Sequence, residues 1–205
     1  MAVENTPSSG DADLIAMKGF HQVARAAHHG VIGAEGTPGV PVSDATLSYP
    51  HQVHSVGLND LVARRPLTNA PATGRRYLVF AEGGAAASSD VSVDARDDGQ
   101  FELQQVNLNA QSTMAALEAV EEVPEVQAGR YELHMLNVPA LSAFLLWLRQ
   151  LDGDDHLFVA LPPTPDFLRT GRVYREDELL NVLEAPARRR LSFDDSPLGG
   201  YESET

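Results

Sequence analysis

Five of the seven histidines, His21, His28, His29, His51 and His54, fall in the first 54 residues. That density would suit metal ligation or proton transfer, but the spacing opposes a shared ion. His21 and His28 lie on one face of a predicted helix two turns apart, about 10 Å along the axis, too far to ligate one ion directly. His51 and His54, read as extended, point to opposite faces of a strand. No H-E-x-x-H occurs. The sequence therefore predicts no metal site, and the histidines read as incidental.

Lys18 is the only lysine among 15 basic residues. It precedes Gly19 inside a predicted helix, so the Gly-Lys-[Ser/Thr] of a Walker A loop is missing. Position 15 is Ile15, which removes Ser-x-x-Lys. A Schiff-base enzyme would have only Lys18, in a polar setting. Glu82-Gly83-Gly84-Ala85 follows a predicted strand, yet G-x-G-x-x-G is absent and a strand follows, with no helix N-terminus to receive phosphate. No G-x-S-x-G elbow exists.

The acidic turn Asp152-Gly153-Asp154-Asp155-His156 departs from a calcium loop, whose sixth and twelfth positions are here Leu157 and Pro163. Arg189-Arg190-Leu191-Ser192 has the residue types a basophilic kinase would read. Catalytic residues are thus unassigned, and no cofactor is implied.

The absence of cysteine excludes disulfides, thiolate nucleophiles and Cys-ligated metals. A net charge of -14 argues against general attraction to nucleic acid or anionic membranes. No apolar run reaches the ~18 residues of a membrane span. The N-terminal segment lacks the basic and apolar regions of a secretory leader, and a cytoplasmic location is expected. Arginine in place of lysine, with abundant Ala, Asp and Gly, gives a bacterial-like composition.

The elements that must position any site read as α+β: a mixed sheet of about five strands with two or three packed helices and an N-terminal helical arm. Residues 1–10 read as a mobile tail, 11–29 as an amphipathic helix, 30–75 as a loop-rich arm or linker, 76–191 as the α+β core, and 192–205 as an acidic tail. In the first helix Met17, Phe20, Val23, Ala24 and Ala27 share one side, and Leu14, Lys18, His21, Arg25 and His28 another. Gly19 within it costs about 1 kcal/mol relative to Ala.

Alternation gives strands from Tyr77, Val91, Phe101, Tyr131, His156 and Arg172. Helices are predicted over Asn109–Glu122 and over Pro139–Leu151, where Pro139 suits a first helical position. A third, from Arg175 to Glu184, is ended by Pro186. In the Pro139–Leu151 helix, Leu146 and Trp147 would stand away from the core face formed by Leu141, Phe144, Leu145, Leu148 and Leu151.

The expected function is a non-enzymatic protein-interaction or assembly (accessory) role, with another protein or a second copy as partner. Leu146, Trp147, Lys18, His21, Arg25 and His28 are its candidate contacts. The alternatives are a hydrolase-type enzyme using His and carboxylate groups, with or without a metal, and a small-ligand-binding domain.

Overall fold

The computed structural model describes residues 3–4, 6–7, 10–28, 45–80, 89–95, 100–107 and 111–194. In chain order the elements are β1 (Val3–Glu4), α1 (Gly10–His28), β2 (Thr46–Ser55), α2 (Leu58–Val62), β3 (Ala72–Phe80), β4 (Ser89–Ala95), β5 (Phe101–Asn107), α3 (Gln111–Glu121) and α4 (Pro124–Gln127). There follow β6 (Tyr131–Val138), β7 (Ala143–Gln150), β8 (Leu157–Leu161), β9 (Val173–Arg175) and α5 (Glu176–Asp194).

The class is α+β, as the patterning predicts, and the sheet is mixed. Among the described residues it has nine strands, eight of them in the order β5-β4-β3-β2-β6-β7-β8-β9. Neighbours are antiparallel except β2 beside β6. β1 also pairs parallel with β6.

The predicted helix over Pro139–Leu151 is corrected. Pro139–Leu141 is a single 3-10 turn, Ser142 takes a left-handed conformation with φ 51°, and the chain reverses into β7. β6 and β7 form a hairpin from Val138↔Ala143 to Tyr131↔Gln150. A strand covered on both faces reads as a continuous apolar run, which periodicity cannot separate from a buried helix. Leu145 and Trp147 enter one core, shared with Leu61, Leu179 and Leu183 of α2 and α5. Leu146 and Leu148 enter another, shared with Leu117, Val120 and Val126 of α3 and α4.

The stretch expected as a loop-rich arm contains β2, which links the two halves of the sheet, and α2. Its Pro50 and the positive φ of Tyr49 (50°) sit where the β2–β3 register shifts between Ser48 and His51. A bulge of this kind hides a strand from simple alternation. Pro186 does not end the last helix, which runs through it to Asp194. A proline inside a helix costs about 3 kcal/mol, and burial of Leu179, Leu180, Leu183 and Ala187 offsets that.

α1 packs on the body of the domain. Ala12, Ala16, Phe20 and Ala24, spaced by four, bury against Tyr77 and Val79 of β3. Gly19 explains itself here: a Cβ at that position would lie 2.4 Å from Leu103 Cδ1 of β5. The first residues are likewise built in. Val3 is buried, Thr6 N–H donates to Pro50 O (3.0 Å), and Thr6 Oγ donates to Leu133 O (3.3 Å). β1 thus occupies the edge of β6 at Tyr131–Glu132, and β2 occupies the same edge from His134 onward.

Candidate functional site

Among the described residues, buried chemistry-bearing side chains converge at the junction of β2, β6 and β7. Strand alternation sends His134 of β6 and Trp147 of β7 to the same face, in register with each other. His54 of β2 reaches that face from the other side of β6. The His54 ring lies edge-on to Trp147 with centroids 4.8 Å apart, and His134 is 5.2 Å from the same indole. His156, just before β8, completes a ring of three histidines around Trp147, at 6.2 Å. Phe158 stacks on the indole at 5.8 Å. All three imidazoles are buried.

The polar atoms form a chain. His54 Nδ1 lies 2.8 Å from Ala70 O, in the segment leading to β3, so Nδ1 carries the proton and donates. His54 Nε2 faces His134 Nδ1 at 3.1 Å. His134 Nε2 faces Glu132 Oε2 at 3.0 Å. The same Glu132 oxygen accepts from the Arg149 guanidinium at 3.3 Å. The chain therefore runs from a backbone carbonyl to a carboxylate tied to an exposed arginine.

Burial is the largest influence on both rings and pushes their pKa values below the ordinary 6.5. The Ala70 hydrogen bond opposes this at His54, and the Glu132 contact opposes it at His134. His156 is lowered by burial too. Its Nδ1 accepts from the Gln150 N–H at 3.0 Å, which places the proton of the neutral ring on Nε2.

Trp147 Nε1 and His51 Nε2 are among the buried side-chain atoms that have no hydrogen-bond partner among the described residues. His51 lies apart from the chain. It registers with Arg76, whose guanidinium reaches Met135 Sδ at 2.6 Å in the α3-side core. Burial, reinforced by Arg76, holds its pKa at about 3. Burial lowers Arg76 to about 10. His51 and His54 thus serve different cores, as their spacing in an extended segment implies.

The predicted contact residues scatter. Leu146 and Trp147, 0% and 1% exposed, are core residues and offer no partner surface. They stood out only while read on a helix. In a strand they point to opposite faces, and each face is covered. Lys18 and Arg25 are exposed on the outer side of α1, with His21 half-buried between them. The Arg25 side chain donates to His21 O at 3.2 Å. The His28 side chain, His29, the Glu82–Ala85 turn and residues 195–205 lie outside the described residues.

Among the described residues no three His, Asp or Glu side chains gather as a metal would require. A cleft of about 370 Å³ beside His156 is bordered by Asp154, Asp155, Arg175, Glu176, Asp177 and Glu178. Arg175 pairs there with Asp155 at 2.7 Å.

Sequence reading missed the histidine cluster because His54 and His134 are 80 residues apart. The one available signal was His134 two residues after Glu132, on the same side of the mostly apolar strand β6. No helix among the described residues is long and apolar enough to cross a membrane. Compared with protein-family models, curated proteins and solved structures, the chain shows no match.

Proposed function

We propose that the protein is a non-enzymatic interaction or assembly protein, with the far end of α5 as its contact surface and an acidic protein surface as the occupant. The observation that carries this is the projection of α5 beyond its last core residue. Ala187 is fully buried, whereas Arg188, Arg189, Arg190 and Phe193 stand outside the core, Phe193 with 73% of its surface exposed. Arg188 is engaged by Glu184 at 2.9 Å. The guanidinium groups of Arg189 and Arg190 have no partner among the described residues. Arg189 and Arg190, on the same helix end as the exposed Phe193, give a small cationic and aromatic patch on a chain of net charge -14. Arg and aromatic residues are the types that anchor interfaces.

The second reading, a His/carboxylate hydrolase, draws on the His54–His134–Glu132 chain. A general base needs a ring nitrogen open to its substrate, and all four nitrogens of these rings face protein atoms. A small-ligand site at the cleft beside His156 has the volume of such pockets, but its border is charged where ligand pockets are mainly apolar.

Light scattering and affinity capture with the full chain test the interaction reading, using wild type and the R189E/R190E/F193A variant. The expected result is a self-associated species or a retained partner that the variant binds at least about tenfold more weakly, with unchanged circular dichroism. A wild type that is monomeric at tens of micromolar, and that retains the same proteins as the variant, overturns it.

A further inference from the structure

The chain from Ala70 to Glu132 can be counted in protons. It has three links: Ala70 O to His54 Nδ1, His54 Nε2 to His134 Nδ1, and His134 Nε2 to Glu132 Oε2. Each link needs one hydrogen. The terminal atoms, a carbonyl oxygen and a carboxylate oxygen, supply none. Two neutral imidazoles carry two hydrogens between them. With both rings neutral, one link joins two lone pairs, and the chain is one proton short.

We propose that the His54–His134–Glu132 chain is a proton-binding site that takes up a single proton, shared by the two rings, as the pH falls, and that it makes the β2–β6 junction pH-responsive. With the added proton on His134, Nδ1–H donates to His54 Nε2 and Nε2–H donates to the carboxylate. With it on His54, Nε2–H donates to His134 Nδ1, while His134 keeps its own proton on Nε2. Either arrangement completes all three links, so the two rings titrate as one site.

A second proton would place two like charges 3.1 Å apart, and the site refuses it. The surrounding groups are fixed. Glu132 of β6 favours the proton, and Arg149 of β7 opposes it. His156 faces Trp147 from the turn before β8, and Glu176 at the start of α5, Asp154 and Asp155 act on His156. His51 and Arg76 lie on the β2–β3 side. Trp147 and Phe158 supply an apolar floor.

The sign of the stability effect follows. The unfolded chain binds one proton on each of the two histidines near 6.5, whereas the folded pair binds one, and at a lower pH because the site is buried. The unfolded state therefore holds more protons below 6.5. The contribution to stability is complete above that value and is lost as the pH falls through the folded titration.

The change falls where β1 and β2 meet on β6, since Glu132 registers with Glu4 of β1 and His134 with Gln52 of β2. This inference is independent of the α5 surface, and neither result decides the other.

Imidazole nitrogen NMR on the uniformly ¹⁵N-labelled full chain, from pH 8 to 5, tests it. The expected result is that His54 and His134 change together in one step below 6.5, each moving only part of the way to the imidazolium position. In Glu132→Gln that step moves down by about one pH unit, for loss of the neighbouring negative charge. Two separate full titrations, or no change at either ring before the protein unfolds, overturn the proposal. So does a Glu132→Gln step at the wild-type pH. The wild-type spectra decide the first point even if the variant does not fold.

Discussion

Leu146 and Trp147 are adjacent in sequence and belong to different cores, because successive side chains of a strand leave it on opposite sides. Leu146→Ala is therefore expected to cost about 2–5 kcal/mol of unfolding free energy in urea. Lys18→Ala, on the exposed side of α1, is expected to stay within about 0.5 kcal/mol. Equal effects of the two changes would contradict the placement of both.

At this scale the sequence identified residue types but not their company. The histidine count drew attention to the first 54 residues, yet His54 gains its chemistry from His134, Glu132 and Trp147, which chain spacing does not reveal. Exclusions were more legible. One lysine and no cysteine remove whole reaction classes without reference to any fold.

Among the elements, those with one wet face were readable. α1 shows buried positions every fourth residue, and α3 lies inside the range its pattern marks. β7 was not readable, because it is apolar on both sides, and β2 was readable only as an extended segment with no place in the sheet, because a bulge and Pro50 break its alternation.

β1 is too short to carry a pattern at all. Its two residues are held by Val3 in the α3-side core and by an ion pair between Glu4 and Arg130 at 2.7 Å. Glu4→Ala removes an exposed pair and is expected to cost under about 1 kcal/mol. Val3→Asp puts a charge where an apolar group is buried. β1 is two residues long, so the loss expected is that of its own docking, about 1–3 kcal/mol. Urea unfolding of both variants measures the difference, and a larger loss for Glu4→Ala would reverse the assignment of what holds β1.

Over the whole molecule, the centre of the fold is the β6–β7–β8 unit, hydrogen-bonded on both edges and covered on both faces. Amide hydrogen exchange by mass spectrometry is expected to be slowest there, and faster in β5, which among the described strands pairs with β4 alone. Comparable protection in β5 and β7 would mean that the sheet opens only as one unit.

The slot filled by the first residues also dictates an order of events. Thr6 and Leu133, joined by a hydrogen bond, are 127 residues apart. At ~5–20 residues per second, synthesis needs roughly 6–25 s to cover that interval. Throughout that time the N-terminal segment can meet β2, through Thr6 and Pro50, but not the β6 edge that β1 pairs with. This pairing is among the most non-local in the fold, the kind that slows folding as contact order rises.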